Sequence, residues 1–270
     1  ISVAVSVSFA PILLTVSPVP LHGETRRMGL GELFRASPLG VVGTVFLGAV
    51  FSAIFGMASV YGTERGLSVA QISVFVAAIY VGGLAAQFPI GWLSDRVDRR
   101  GLIAVVTAVG AAGGVAGAAF GESFPVALAM AFVTGAIANP MYSLLVAHTN
   151  DFLEPSEMPA ASGGLMFING LGAVGGPLLT GALMQIFGPW AFFGFVAAMF
   201  AAISGYAAWR MTRRPALAPE DTGAYAPVMP TASPVMAEAA AEFAAEQAEA
   251  EAEAAAEAEA EAERDAPEAA

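Results

Sequence analysis

Long apolar runs separated by short polar breaks dominate the pattern of this chain. Each run has about 20 residues or more, the length of a helix that crosses a bilayer. Because a backbone in lipid must satisfy its own hydrogen bonds, such runs predict spanning helices rather than the shorter, alternating strands of a barrel. The six runs lie at residues 39–61, 67–92, 101–120, 123–148, 159–187 and 189–210.

Three further segments flank this six-helix bundle, which we place at residues 39–212. Residues 1–16 are apolar and predict the end of a preceding transmembrane helix, so we expect the chain to be a fragment whose beginning is missing. Residues 17–38 contain Pro, Gly and Arg and predict a polar cytoplasmic linker. Residues 213–270 are rich in Ala and Glu and predict an acidic cytoplasmic tail that is disordered or loosely helical.

The composition points to lipid as the solvent. Hydrophobic residues make up 57% of the chain and charged residues 13%, and the mean hydropathy is +0.68, which is outside the range of soluble domains. The net charge of −12 belongs to the tail, because fourteen acids and one Arg follow residue 214. The chain has no cysteine, so disulfides and thiolate metal sites are excluded. We expect an all-α membrane protein without a cofactor or bound metal.

Arginines set the orientation, since basic residues near helix ends mark cytoplasmic loops. If the linker is cytoplasmic, nine arginines fall on the cytoplasmic side and only Arg65, beside Glu64, falls on the other. This predicts a multi-pass protein of the cytoplasmic (inner) membrane with its linker and tail inside the cell. The nine are Arg26, Arg27, Arg35, Arg96, Arg99, Arg100, Arg210, Arg213 and Arg214.

A charged loop joins the second and third runs. Residues 95–100 hold five charges after more than twenty residues with none. We expect Asp95 to accept hydrogen bonds from a neighbouring helix N-terminus, and the arginines to bridge acids or lipid phosphates. The loop then acts as a latch between moving bundles; the alternative is an anchor that only sets topology. The latch candidates are Gly91, Asp95, Arg96, Arg99 and Arg100.

Gly91, Asp95–Arg96 and the basic pair at 99–100 resemble the cytoplasmic loop signature of the major facilitator superfamily, with Asp98 where that signature has Gly. A second pattern resembles the glycine-rich motif of the superfamily's drug–proton antiporters, apart from Thr180, and here lies on the fifth helix of the bundle. It implies helix packing or gating, and in its usual place it suggests efflux. Its residues are Gly163, Gly172, Gly176, Pro177 and Gly181.

Together with residues 139–143 and 147–151, these motifs make residues 1–212 similar to the YcaD-like branch of the superfamily. The resemblance implies the C-terminal half of a transporter. Its partners are then a missing N-terminal six-helix half, membrane lipid and an unidentified small solute.

The spans contain no clear Asp, Glu, Arg or Lys, so the candidates for a substrate pathway are neutral. They are Gln87, Asn139, Tyr142 and Asn169, each of which could instead make an interhelical hydrogen bond. His148 is a possible titrating group, although we expect it to be a solvated residue at a helix end.

These features favour a secondary active transporter that works by alternating access. The alternative is a non-transporting scaffold or sensor whose acidic tail recruits a cytoplasmic partner. An enzyme is not expected, because the only histidines are His22 and His148 and no catalytic arrangement appears. Nucleic acid is not expected as a partner, because phosphate would repel the acidic tail.

Overall fold

The computed structural model describes residues 28–213, 223 and 225–228 of the chain. All regular structure in this part is helical, and six of the helices are long and apolar enough to cross a membrane, which confirms the predicted all-α, six-span fold. The predicted helix end at residues 1–16 and most of the acidic tail lie outside the described residues. The helices are α1 (Leu30–Ala36), α2 (Pro38–Gly56), α3 (Ala58–Glu64), α4 (Val69–Ser94), α5 (Arg99–Phe120), α6 (Phe124–Asn150), α7 (Met158–Phe187) and α8 (Ala191–Met211).

Two details differ from the hydrophobic pattern. The short helix α1 lies within the predicted linker, and the first apolar run is divided into α2 and α3. Helix α2 begins where the Ser37 hydroxyl accepts a hydrogen bond from the backbone N–H of Gly40, with proline at the first helical position. It ends at Gly56, with Met57 as its C-cap.

The spans pack as three close pairs: α2 with α7, α4 with α6, and α5 with α8. Glycines allow this approach. A Cβ added at Gly82 of α4 would lie 2.1 Å from the carbonyl oxygen of Phe132, and one at Gly135 of α6 would lie 1.9 Å from that of Ile79. The two backbones therefore touch, as in other membrane helix pairs built on small residues.

The two ends of the bundle differ in chemistry. Helix α4 has 26 residues and therefore separates them by about 39 Å. At the end that holds α3, the Tyr61 ring packs on Phe75, Phe192 and Phe193, with centroids 5.3, 4.9 and 5.4 Å away. Aromatic rings thus fill that end, and the charged loop occupies the opposite end.

Candidate latch and substrate pathway

Arg99 is the centre of the charged loop. It is the first residue of α5 and is only 2% exposed. Its Nε donates to the Ser94 hydroxyl at 3.0 Å, and Nη2 donates to Asp95 Oδ1 at 3.1 Å. Its Nη1 donates to Asp151 Oδ1. The side chain therefore ties the ends of α4, α5 and α6 together.

Asp95 accepts hydrogen bonds from one side chain and from the backbone of the tail. Within the described residues, its Oδ1 accepts hydrogen bonds from the Arg99 side chain and from the backbone N–H of Tyr225 at 2.9 Å. The expected donor, the N-terminal backbone of a neighbouring helix, is not among these partners. That contact stays a prediction.

The other two arginines of the loop have separate roles. Arg96 is exposed and lies over the Trp92 ring at 4.1 Å. Arg100 is 6% exposed and pairs with Asp98, its Nη2 lying 3.2 Å from Oδ2. Asp98 is also the N-cap of α5, because its side chain accepts from the backbone N–H of Arg100 at 3.0 Å. Asp98, the residue that departs from the family signature, therefore caps α5 and forms an ion pair with Arg100.

Asp151, just after α6, belongs to this cluster but was not among the predicted latch residues, and the same holds for Ser94. Its side chain and that of Arg99 are each 2% exposed. Burial raises the pKa of Asp151 above its ordinary value, and the charge of Arg99 opposes that rise. The sequence could have indicated this contact, because spans that alternate in direction bring the start of α5 and the end of α6 to the same membrane face.

Two of the four predicted pathway residues share a cavity of about 390 Å³. Gln87 of α4 and Asn139 of α6 are both half-buried. Gln87 donates from Nε2 to the Tyr225 hydroxyl at 3.0 Å, and Asn139 donates to the carbonyl of Gly135 in its own helix at 3.1 Å. The cavity is lined by Phe51, Tyr80, Gly83, Leu84, Gln87, Asn139, Pro227 and Val228.

The other two pathway candidates do not line that cavity. Tyr142 is 3% exposed and belongs to the hydrophobic core. Asn169 is 7% exposed, and its backbone oxygen would lie 2.1 Å from a Cβ added at Gly48. Asn169 therefore sits in the contact between α2 and α7.

The glycine motif on α7 faces α2 at two of its positions. A Cβ at Gly172 would lie 2.0 Å from the carbonyl oxygen of Val45, and one at Gly176 would lie 2.0 Å from the Ser52 hydroxyl. A Cβ at Gly181 would make only ordinary contact, 3.4 Å from Met57. Gly163 is half-buried near the start of the helix, and Pro177 lies inside it.

His148 is not the solvated residue that was expected. It is 5% exposed, and its ring meets Phe152 edge-on at 5.2 Å. The helix end is covered because α1, the start of α2 and Arg210 close around it. His148 therefore belongs to the packed interior.

The described part of the acidic tail also corrects an expectation. Gly223 and residues 225–228, called the tail segment below, pack against the bundle rather than remaining in solvent. Ala226 and Val228 are each 8% exposed and join the hydrophobic core. This stretch carries Tyr225 and Val228, two of the few large apolar residues of the Ala- and Glu-rich tail.

Ser143 of α6 holds the end of the tail segment and was not among the predicted site residues. It is completely buried. Its hydroxyl donates to the carbonyl of Val228 at 2.9 Å and accepts from the N–H of the same residue at 2.8 Å.

The chain belongs to the Major Facilitator Superfamily, whose family model matches residues 40–245. It is similar to the uncharacterized MFS-type transporter YfkF of Bacillus subtilis, with 29% identity over 142 residues, 52% of this chain and 36% of YfkF. It is also similar to the uncharacterized MFS-type transporter YcaD of Escherichia coli, with 27% identity over 166 residues, 62% of this chain and 42% of YcaD. These matches confirm the YcaD-like resemblance.

The chain spans about two-fifths of the length of the curated relatives that it matches. Its family and its six apolar helices identify a multi-pass membrane protein of this superfamily.

Proposed function

We propose that this chain supplies the C-terminal six-helix half of a secondary transporter that moves a small solute by alternating access. The observation that carries the proposal is the arrangement of a charged cluster beside a cavity. Arg99 links three helix ends at the mouth of the bundle, and Gln87 and Asn139 line the cavity.

The cavity suits a small solute with both apolar and hydrogen-bonding groups. Its volume, about 390 Å³, falls in the range of small-molecule sites, where a few polar groups fix orientation against an apolar wall. The Gln87 and Asn139 amides are the polar groups here, and Phe51 and Tyr80 supply aromatic surface. In a complete transporter, the second half would close the open side.

The arginine-bearing end faces the cytoplasm in this proposal. Arg35, Arg96, Arg99, Arg100, Arg210 and Arg213 lie near helix ends on the side of the charged loop, as the positive-inside rule requires. Asp95 and Arg99 then form this half's side of a cytoplasmic latch, whose contacts with the other half break and reform as the two halves move. Efflux is the direction suggested by the glycine motif, and the cytoplasmic membrane is the location.

Transport of an identified solute tests the proposal. Metabolite profiling of cells that lack or overproduce the full-length protein identifies the solute whose level changes most, and proteoliposomes then measure its flux. We expect Asp95→Asn and Arg99→Lys to reduce the flux at least ten-fold, with Arg35→Lys, at an exposed arginine outside the loop, as the matched control. The proposal fails if proteoliposomes with the protein move that solute no faster than empty ones. An unchanged flux in Asp95→Asn contradicts the latch.

A further inference from the structure

The tail segment is held through its backbone by side chains of three helices. The N–H of Gly223 donates to Asp151 Oδ1 at 3.2 Å, and the carbonyl of Gly223 accepts from Arg99. The N–H of Tyr225 donates to Asp95 at 2.9 Å. With the paired bonds between Ser143 and Val228, five backbone groups of this short stretch are satisfied. The Val228 bonds are buried, where backbone groups need partners, whereas the bonds of the Gly223 and Tyr225 N–H groups lie at the surface.

The groove that receives this backbone runs inward from the charged cluster. Gln87 precedes Asp95, and Ser143 precedes Asp151, by eight residues each, or about 12 Å along a helix. From Gly223 to Val228 is five residues, which an extended chain covers in about 17 Å. The tail segment therefore has the reach to follow α4 and α6 inward for two helical turns.

Tyr225 gives the groove its specificity. Its hydroxyl accepts from Gln87 Nε2 at 3.0 Å and lies 3.5 Å from the carbonyl oxygen of Pro140. Its ring lies on Gly91, where an added Cβ would be 2.7 Å from the ring carbon Cδ1. Any larger residue at position 91 would fill the space of the ring. Burial raises the pKa of Tyr225 to about 12, so the hydroxyl keeps its proton at neutral pH.

We propose that the groove between α4 and α6 is a binding site for an extended peptide, and that its occupant is the tail segment of this same chain. Docked there, the tail segment occupies the latch residues Asp95 and Arg99 and forms part of the cavity wall through Pro227 and Val228. It is then a self-inhibitory element, because it competes with both the solute and latch closure. This last consequence rests on the proposed transport function; the docking does not.

Disulfide trapping in the full-length protein tests the docking. These 270 residues contain no cysteine, so after replacement of any cysteine elsewhere, Gly91→Cys with Tyr225→Cys gives one defined pair. A protease site inserted after Arg214 reports the bridge, because the cleaved tail stays attached until reduced. The control pair is Gly101→Cys with Tyr225→Cys, since position 101 lies on α5, where an added Cβ has only Met211 nearby, at 3.9 Å. We expect bridging at 91 to be at least ten-fold faster; equal rates, or no bridge at 91, would overturn the proposal.

Two truncations that differ by only seven residues provide an independent measurement. Chains ending at Thr222 or at Met229 both lack the twelve acids beyond position 229, but only the longer one keeps the tail segment. With Asn139→Cys as a reporter in the cavity wall, we expect a soluble maleimide to label the shorter chain at least five-fold faster than the longer one. Equal labelling of the two would contradict docking.

Flux distinguishes failure of this inference from failure of the proposed function. In proteoliposomes loaded with the solute identified by profiling, the chain ending at Thr222 should transport at least three-fold faster than the chain ending at Met229. Equal, measurable flux would refute self-inhibition while leaving transport intact. Absence of flux in both chains and in the untruncated protein would refute transport, whereas cross-linking and labelling would still decide the docking.

Discussion

Arg99 and Asp151, separated by 52 residues in sequence, form an ion pair in which only 2% of each side chain is exposed. A pair withdrawn from water in this way gains little net stability from its own attraction, because desolvation offsets it. Removal of one partner is more costly, because the other then remains buried with its charge uncompensated. The two positions are therefore energetically coupled.

Arg99→Ala should destabilise the fold, and a second substitution should rescue it. We expect the single variant to lose about 3–5 kcal/mol, because the Asp151 carboxylate stays buried without its partner. Asp151→Asn added to Arg99→Ala should recover part of this loss. Unfolding in mixed detergent micelles measures both, with exposed Arg96→Ala expected to change stability by less than about 0.5 kcal/mol. Simple additivity of the two substitutions would refute the coupling.

Titration of Asp151 should contribute to the pH dependence of the unfolding free energy. Its pKa in the fold is raised by burial, with Arg99 opposing and Asp95 adding to the rise. A raised pKa means that its stabilising contribution is complete below the ordinary value and is lost as pH rises through the raised value. The unfolding free energy of wild type minus that of Asp151→Asn should therefore fall as pH increases across this window. A difference that grows with pH would contradict the assignment.

Asp98 can be tested against the glycine usual in the family signature. Its side chain caps α5 by accepting from the N–H of Arg100 at 3.0 Å. We expect Asp98→Ala to cost about 1 kcal/mol of unfolding free energy and Asp98→Gly only a few tenths. Equal losses in the two variants would indicate that the ion pair with Arg100, rather than the cap, carries the contribution.

Two glycines three positions apart on α7 offer a matched pair for the packing of α2. Gly172→Ala places a methyl group 2.0 Å from the carbonyl oxygen of Val45, whereas Gly175→Ala meets nothing within 4 Å. The first should lose at least about 1–3 kcal/mol through overpacking, and the second should be neutral or slightly stabilised by better helix propensity. Thermal unfolding in detergent distinguishes them, and similar midpoints would argue against backbone contact between α2 and α7.

Sidedness is measured by single cysteines at exposed positions near opposite ends of α4. A membrane-impermeant maleimide added to intact cells should label Glu64→Cys, and the same reagent should reach Arg96→Cys only in inside-out vesicles. Both side chains are exposed, so accessibility depends on the side of the membrane alone. Labelling of both from the same side would overturn the proposed orientation.

The spans were predictable because a backbone in hydrocarbon must satisfy its own hydrogen bonds across a fixed thickness. The lengths of the apolar runs match that thickness. The interruption at Met57 was not predictable from apolarity, which continues through it. Arg99 was identifiable as a candidate site residue because several charged residues lie beside it in the sequence. Prediction of its partner Asp151 also required the order of the spans, because no sequence feature near residue 151 indicates a contact with Arg99.

Ser143 and Tyr225 illustrate a second reason for what the pattern missed. A serine within an apolar helix predicts a bond to its own backbone as readily as any other role, and Ser143 instead holds Val228. Tyr225 lies in a tail whose average composition predicts solvation. The average composition of the tail does not show a short stretch with one aromatic and one branched residue. In the structure, the five residues of this stretch bind in the groove.

Ser94, Asp95, Arg99 and Asp151 have a mechanical consequence beyond their chemistry. Three of these groups, at the ends of α4 and α6, converge on the planar guanidinium of Arg99 at the start of α5, whose N–H directions are fixed by resonance. The helix ends that bear them cannot rotate separately without breaking several bonds at once. Movement at this surface must therefore displace α4, α5 and the end of α6 as one rigid frame, which pivots while its internal angles stay constant.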